Sequence, residues 1–287
     1  MAIRIVQSKL NPRVKELRAT LRQSRATPEG LVGVEGIHLL EEALRAGIEV
    51  VTIFVAQGHE QLLSQAPFDK FRLLDSVEIL AVPRELLDAV QTTETPQPVA
   101  ALVRSRAWKW ARLLTGPSPL LVVLAGVQDP GNLGTILRSA EAFAATGAVL
   151  LSGTVSRWNA KAMRASAGSV FRIPTISATD SACFEQLHAA GLLTLAAMPR
   201  EQGLPLASSL EAINLTRPTA LFIGSEGSGL SPEIAAQCHS RITIPCPGPV
   251  ESLNAAVAAS ILLYETARQR ALPASRQKAP KQRIGSA

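Results

Sequence analysis

The sequence LLVVLAGVQDPGNLGTILRSAEAF, residues 120–143, decides the fold class. Residues 120–125 are a continuous apolar run, which predicts a strand buried on both faces. A Pro-Gly turn follows, Asn132 stands where an N-cap is expected, and helical periodicity then extends to Ala145. A buried strand that leads directly into an amphipathic helix is typical of an α/β fold.

The C-terminal half of the chain repeats this alternation of strand and helix. Apolar runs are separated by helical segments up to a last helix over residues 252–270, which predicts a mostly parallel sheet covered by helices on both faces. The predicted strands after the opening stretch are residues 148–151, 171–173, 192–196, 220–223 and 241–244.

The N-terminal part indicates a second, smaller α/β unit. A helix is expected over residues 11–25, because Asn11 is a suitable N-cap and Pro12 a suitable first residue. The unit that follows contains predicted strands at residues 30–35 and 50–55 and a predicted helix at 37–46. We therefore divide the chain into an N-terminal domain at 1–104, a linker at 105–118, a catalytic-type domain at 119–270 and a disordered basic tail at 271–287.

Length and composition exclude several classes of protein. A chain of 287 residues suggests two domains, and 47% hydrophobic against 18% charged residues provides ample material for buried cores. No apolar stretch approaches the ~20 residues that a membrane-spanning helix needs, and the N-terminus lacks a secretory signal. Three cysteines without a CxxC pair argue against a disulfide framework and a metal site. We expect a soluble, cytoplasmic protein with no membrane and no metal.

The positive charge is concentrated outside the C-terminal core. Residues 1–28, 101–115 and 266–287 carry seven, four and six Lys or Arg with a single acid among them, whereas residues 119–265 carry eight basic and ten acidic residues. This distribution fits a polyanion such as a nucleic acid, and it equally fits solvated helix faces with a disordered tail. Trp108 and Trp110 in the linker either stack on RNA bases or pack between the domains, and packing is favoured.

Three loops follow predicted strands and carry the polar residues of interest. They lie at residues 126–143, 222–233 and 244–265, and parallel strands bring such loops to one edge of a sheet. No GxxxxGK[ST] motif is present, no GxGxxG opens the first strand–helix unit, and no GxSxG or loop histidine supports a Ser-His-Asp hydrolase. A pocket lined by loops, which binds a polar cofactor mainly through backbone groups, remains.

The residues of these loops resemble a known family. The segments are Asn132-x-Gly134-x-x-x-Arg138, Gly224-Ser225-Glu226-Gly227-x-Gly229-Leu230, and Ile244-Pro245 followed by Ser252-Leu253-Asn254. In order and spacing they resemble the three signature motifs of the SpoU (TrmH) family, RNA ribose 2′-O-methyltransferases of the SPOUT class. The sequence VGVEGIHLLEEAL, residues 32–44, resembles the L30e-like substrate-binding domain of the ribosomal-RNA members.

The resemblance implies a fold, a cofactor and a substrate. It implies an α/β domain with a deep trefoil knot, a homodimer, and S-adenosylmethionine held in the knot mostly by main chain. The implied reaction is in-line attack of a ribose 2′-hydroxyl on the sulfonium methyl group, with ribosomal RNA, most simply 23S, as the substrate. A transfer-RNA methyltransferase and a non-catalytic RNA-binding or ribosome-assembly protein on the same fold are the alternatives.

The resemblance also assigns roles to residues by their match to the motifs. The implied catalytic residues are Asn132, Arg138, Glu226, Ser252 and Asn254, and the implied cofactor-binding residues are Gly224, Ile244 and Leu253. Arg138 would activate the ribose hydroxyl; because arginine stays protonated, we expect it to stabilise alkoxide charge or to position a phosphate. Glu226 would orient Arg138 or bind a ribose hydroxyl. Asn132 and Ser252 have helix capping as an alternative, whereas Asn254 is expected inside a helix, where asparagine is a weak choice.

Overall fold

The computed structural model describes residues 3–64, 77–199, 208–210, 213–249 and 252–271. The chain forms two compact units, each drawn from three segments. The first comprises Met1–Ala107, Asp129–Arg138 and Val155–Arg172, and the second comprises Trp108–Gln128, Ser139–Thr154 and Ile173–Ala287. Apart from Ala271, which ends the last helix, the predicted tail lies outside the described residues.

The first unit is built on a mixed five-stranded sheet. Its strands are β1 (Ile3–Ile5), β2 (Leu31–Glu35), β3 (Val50–Ala56), β4 (Glu78–Val82) and β5 (Val99–Arg104), in the order β1-β4-β3-β5-β2. β4 pairs in parallel with β1 and β3, whereas β5 pairs antiparallel with β2 and β3. The helices among these strands are α1 (Pro12–Gln23), α2 (Ile37–Arg45) and α3 (Arg84–Asp88), with a 3-10 helix at Glu60–Ser64. The predicted α/β character of this part of the chain is confirmed.

Helix α1 begins where the sequence predicts. The Asn11 side chain accepts a hydrogen bond from the backbone N–H of Arg13, and Pro12 is the first helical residue. The buried residues of α1 pack on β2, where a Cβ atom placed on Gly33 would lie 2.7 Å from Thr20 Oγ1. Glycine at this strand position therefore allows the helix to approach the sheet closely.

The second unit is built on a seven-stranded sheet in which every pairing is parallel, as predicted. Its strands are β6 (Leu120–Leu124), β7 (Gly147–Leu150), β8 (Thr175–Ser177), β9 (Leu193–Ala197), β10 (Ser208–Ser209), β11 (Thr219–Ile223) and β12 (Ser240–Thr243). Their order is β10-β12-β9-β11-β6-β7-β8. β6 and β11 are fully buried, which explains their unbroken apolar sequences.

From residue 108 onwards, the described part of the chain also forms seven helices. They are α4 (Trp110–Leu113), α5 (Pro130–Ala142), α6 (Ala160–Ala165), α7 (Ser169–Arg172), α8 (Asp180–Ala189), α9 (Pro232–Gln237) and α10 (Ala255–Ala271). The predicted strand at 171–173 is wrong: Phe171 and Arg172 belong to α7, and the strand starts after Pro174. A short apolar run does not distinguish a strand from a buried helical turn.

The core of the second unit accounts for the two linker tryptophans. Phe184 and Phe222 stack at its centre, with ring centroids 4.9 Å apart. Trp108 and Trp110 are partly buried against the same core cluster. Packing therefore explains both side chains without a stacked RNA base.

Candidate functional site

The two central strands of the parallel sheet define where a ligand can bind. β6 and β11 are neighbours and run in parallel, with Leu124 opposite Ile223 at their carboxyl ends. After β6 the chain forms β7, which pairs with the side of β6 that faces away from β11. After β11 the chain forms β12, which lies on the other side of the β6–β11 pair, separated from β11 by β9. The chain thus departs in opposite directions from two adjacent strands, which is the arrangement that forms ligand crevices in open α/β sheets.

The loop after β6 is fixed to the loop after β7. Gly126, with φ of +73°, donates its backbone N–H to Thr154 Oγ1 at 3.0 Å, and Thr154 Oγ1 donates to the Leu124 carbonyl at 2.9 Å. Gly153 lies so close that a Cβ atom on it would be 3.6 Å from Gly126 Cα. Main chain rather than side chains therefore lines this part of the edge.

The second motif forms a small closed hairpin directly after β11. Ser225 and Gly229 exchange backbone hydrogen bonds of 3.0 and 3.1 Å, and Ser225 Oγ accepts a further one from the Ser228 N–H. A Cβ atom on Gly224 would lie 2.1 Å from the Gly229 carbonyl carbon, so the hairpin requires glycine there. Glu226, at the tip of the hairpin, is exposed.

The third motif leaves the same edge from β12. Ile244 and Leu253 are half-buried, and Ser252 is exposed. Asn254 Oδ1 accepts hydrogen bonds from the backbone N–H groups of Ala256 at 2.9 Å and Val257 at 3.3 Å, so Asn254 is the N-cap of α10. Placing Asn254 inside the helix was therefore wrong, and so was Ser252 as a cap, because the helix begins three residues later than predicted.

The first motif helix also begins elsewhere than predicted. Asp129, not Asn132, caps α5: its Oδ1 accepts the Asn132 backbone N–H at 2.8 Å, and Pro130 is the first helical residue. This hydrogen bond, followed by the one from the Lys161 side chain at 3.0 Å, holds the pKa of Asp129 below its usual value. Asn132 is left in the first turn and is half-buried.

Arg138 lies in the second half of α5 and is exposed. Within the described part of the chain its side chain has no hydrogen-bond or ion-pair partner. Its guanidinium group is therefore available to an anion from solvent, in contrast to Arg164 and Arg172 of the neighbouring helices, which are paired with glutamates.

A nucleoside cofactor that is bound mainly by main chain fits the edge of the second unit. Gly126, Gly153 and the closed hairpin at Gly224 bring backbone close together, and nothing lies within 4 Å of Cβ positions at Gly227 and Gly248. The described residues include no cluster of side chains suited to a metal ion. Burial raises the pKa values of Cys183 and Cys238 to about 12, so both thiols are neutral at physiological pH.

Sequence reasoning missed a group of residues that fix α5 and α6. Gly134 of the first motif packs against α6, where a Cβ atom would lie 2.4 Å from the Ala162 carbonyl oxygen. Glu35 pairs with Arg164 and Glu42 with Arg172. In the sequence, Glu35 stands out as an acid at the end of the apolar strand β2. This pattern does not identify its partner Arg164, which lies 129 residues away.

Two family models match the chain, one in its N-terminal part and one in its C-terminal part. Residues 11–101 match the MRM3-like substrate binding domain, and residues 119–264 match the SpoU rRNA Methylase family. Among curated proteins, an uncharacterized tRNA/rRNA methyltransferase of Synechocystis is 35% identical over 92% of this chain and 93% of its own length. The 23S rRNA (guanosine(2553)-2′-O)-methyltransferase RlmP of Bacillus subtilis is 32% identical over 90% of this chain and 97% of its own.

Solved structures agree with these matches. An AdoMet-bound rRNA methyltransferase from Sinorhizobium meliloti superposes with a TM-score of 0.79 at 28% identity, covering 94% of this chain and 99% of that one. The SpoU methyltransferase AviRb from Streptomyces viridochromogenes, in complex with AdoMet, gives 0.76 at 30% identity, with 91% and 98% covered.

The parallel α/β sheet and its three loops are thus those of an RNA methyltransferase that uses S-adenosylmethionine. The chain belongs to the SpoU rRNA methylase family. The predictions of an α/β fold with a mostly parallel sheet, of S-adenosylmethionine as the cofactor and of an RNA methyltransferase are confirmed. No helix among the described residues is long and apolar enough to cross a membrane.

Proposed function

We propose that this chain methylates a ribose 2′-hydroxyl of 23S ribosomal RNA in the cytoplasm. The parallel arrangement of β6, β11, β9 and β12 carries the proposal, because the loops that directly follow these strands leave one edge of the sheet, where a cofactor can bind. The substrate-binding match at residues 11–101 and the similarity to a 23S rRNA enzyme favour ribosomal RNA as the acceptor.

The cofactor-binding residues are Gly224, Ile244 and Leu253. Gly224 opens a hairpin whose backbone is already hydrogen-bonded, and Ile244 and Leu253 offer half-buried apolar surface on the segment that follows β12. Bound S-adenosylmethionine supplies an electrophilic methyl group. The chain contributes position and exclusion of water, which are the main requirements when charge is neutralised in a transfer. A trefoil knot in this part of the chain would hold the loops together.

Arg138 acts on the acceptor hydroxyl. The hydroxyl is a weak nucleophile until its proton is removed or shared, and the exposed guanidinium stabilises negative charge as it develops on the oxygen. Arginine remains protonated at physiological pH, so the hydroxyl proton passes to another group. A phosphate oxygen of the RNA is the simplest such acceptor. Glu226, Asn132 and Ser252 are exposed or half-buried polar groups that would contact RNA. Asn254 would position the third loop through its cap.

The protein would act as a homodimer. Val257 and Tyr264 of α10 are 47% and 54% exposed, and their seven-residue spacing places them on one face of the helix. Phe143 packs edge-to-face on Tyr264, with ring centroids 5.8 Å apart. An exposed apolar helix face of this kind suits a second copy of the chain.

The substitution Arg138→Ala tests the proposal. Loss of one charge-stabilising donor is expected to lower the rate of labelled-methyl transfer to ribosomal RNA about 10²-fold or more. Binding of S-adenosylmethionine, measured by calorimetry, should remain within about twofold of wild type, because the proposed cofactor loops follow β11 and β12 whereas Arg138 lies in α5. Arg217→Ala is the matched control: Arg217 is also exposed but lies just before β11, at the opposite edge of the sheet.

Three outcomes would contradict this assignment. Equal loss of cofactor binding and methyl transfer in Arg138→Ala would mean that the arginine is structural. Failure of the wild-type protein to bind S-adenosylmethionine would favour a non-catalytic RNA-binding protein on the same fold, and transfer to transfer RNA alone would replace the proposed substrate.

A further inference from the structure

Glu35 is a buried carboxylate at the end of β2. Its side chain is 2% exposed, and it accepts hydrogen bonds from the backbone N–H and the hydroxyl of Thr92. Its second oxygen pairs with Arg164 Nη1 of α6 at 3.1 Å. A buried carboxylate needs such partners, because an unpaired charge away from water is strongly unfavourable. Glu35 thus attaches residues 155–172 to the sheet of the N-terminal part of the chain.

Glu42 of α2 makes a second attachment to the same segment. Its side chain is 12% exposed, and its oxygens bind Arg172 Nη1 and Arg45 Nη1, each at 2.6 Å. The turn between α6 and α7 lies directly on it: a Cβ atom on Gly168 would be 2.6 Å from Glu42 Cβ. Ala167 and Gly168 both have positive φ, 48° and 85°, a conformation that costs free energy for alanine. The Arg172 guanidinium, which also donates to the Ala167 carbonyl at 3.4 Å, holds this turn.

Helix α6 is in turn packed against the first motif helix. The Ala162 carbonyl and the Ser166 N–H lie 2.4 and 2.8 Å from the position that a Cβ atom on Gly134 would take. Lys161 Nζ binds Asp129 Oδ2 at 3.0 Å beside the cap of α5. The amino-terminal part of α5, up to Arg138, accordingly belongs to the same compact unit as the N-terminal sheet.

We propose that Glu35 and Glu42 are positioning residues for methyl transfer, because they fix α6 and α7, and through them α5, to the domain that binds the RNA. The proposal rests on the function proposed above for Arg138 and for the N-terminal domain. The Glu35–Arg164 and Glu42–Arg172 ion pairs, together with the close packing at Gly168 and Gly134, then set the distance between bound RNA and the guanidinium that acts on it. A displacement of about 1 Å at a reacting group can cost about 10²-fold in rate, so a fixed attachment matters for turnover more than for binding.

The test is a double-mutant cycle on the Glu42–Arg172 pair. Glu42→Gln and Arg172→Gln should each lower kcat for RNA methylation at least about tenfold, whereas KM for RNA changes less than about threefold. The double variant should be no worse than either single variant, because the interaction can be lost only once. Arg172→Lys keeps the charge and should recover part of the kcat that Arg172→Gln loses. If Glu42→Gln fails to fold, the comparison of these two Arg172 variants tests the proposal.

Two further measurements separate positioning from loss of structure. Calorimetric binding of S-adenosylmethionine should be unchanged, since the cofactor loops belong to the second unit. Hydrogen exchange of residues 155–172 in the cofactor-free protein should be faster in Glu42→Gln than in wild type. Glu49→Gln is the matched control. Glu49 also pairs with an arginine of the first unit, Arg104 of β5, but its side chain is 60% exposed.

The outcomes distinguish this proposal from the one on which it rests. A wild-type protein that transfers no methyl group to RNA would overturn the proposed function itself. A fully active wild type with unchanged kcat in Glu42→Gln and Arg172→Gln would overturn only the positioning role, and so would faster hydrogen exchange without a change in kcat. Additive losses in the double variant would show that the two residues act separately, which also contradicts the proposal.

Discussion

Asn254 has a structural explanation at the scale of the single residue. Its side chain caps α10 and thereby fixes the end of the third motif loop beside Leu253. Aspartate caps helices as well as asparagine does, whereas alanine does not. The two substitutions therefore separate the cap from any contact that the amide group makes with a ligand.

We predict that Asn254→Ala lowers the free energy of unfolding by about 1 kcal/mol and weakens cofactor binding, while Asn254→Asp preserves both. Urea unfolding and calorimetric titration with S-adenosylmethionine are the measurements. If Asn254→Asp is stable and binds cofactor but no longer methylates RNA, the amide group itself contacts the substrate and the capping account is incomplete.

The Glu42 carboxylate predicts a pH dependence of stability. Burial disfavours its ionised form, but the hydrogen bonds from Arg172 and Arg45 outweigh burial and hold its pKa below the usual value. A depressed carboxylate pKa gives stability that is fully present above the unfolded pKa of about 4.3 and is lost as the pH falls through the lower folded pKa. The difference in unfolding free energy between wild type and Glu42→Gln should therefore be nearly constant from pH 7 to about 5 and should shrink as the pH falls below the unfolded pKa of about 4.3. A difference that stays constant down to about pH 3, or that grows on acidification, would contradict the sign.

Helix α5 depends on a close contact at the scale of secondary-structure elements. In an isolated helix, alanine would be favoured over glycine by about 1 kcal/mol. At Gly134 the sign is reversed, because the methyl group would lie 2.4 Å from the Ala162 carbonyl oxygen and would force α5 and α6 apart.

We predict that Gly134→Ala destabilises the protein by about 1–3 kcal/mol, the usual cost of overpacking, and lowers methyl transfer. Thermal unfolding measures the first effect. Gly227→Ala is the control, since nothing lies within 4 Å of its Cβ position and its φ is not positive. Equal melting temperatures for Gly134→Ala and wild type would mean that α6 moves aside without cost.

The elements that the sequence predicts well are those with one dominant signal. β6 and β11 are continuous apolar runs, and their parallel pairing follows from burial on both faces. The predicted start of α5 was wrong, because Asp129, three residues before Asn132, is an equally suitable cap and is the one used. The placement of the loops at one edge of the sheet could be predicted from parallel strands, but the Glu35–Arg164 pair could not, because no local pattern relates residues 129 positions apart.

At the scale of the whole molecule, part of the basic periphery serves the fold. Arg270 donates to the carbonyls of Ser118, Leu215 and Arg217, and Arg268 pairs with Glu265. Arg106 likewise donates to the carbonyls of Ala46 and Gly47. Fewer cations are therefore available to RNA phosphates than the count of Lys and Arg suggests. The affinity for RNA should then fall less steeply with salt concentration than that count would predict.

The proposed dimer gives a further prediction at this scale. Val257→Arg places a charge on the exposed apolar face of α10 and should shift the protein from dimer to monomer in sedimentation equilibrium. Leu10→Arg is the matched control, because Leu10 is also exposed, at 65%, but lies in the first unit. A monomeric wild type, or an unchanged dimer in Val257→Arg, would exclude this face as the interface.

The position of the transferred methyl group tests the central claim most directly. 23S ribosomal RNA is incubated with the protein and isotopically labelled S-adenosylmethionine, digested to nucleosides and analysed by mass spectrometry. The account predicts label in a 2′-O-methylated nucleoside, with transfer strongly reduced in Arg138→Ala. Label on a base, or no label in RNA from a protein that binds the cofactor, would contradict it.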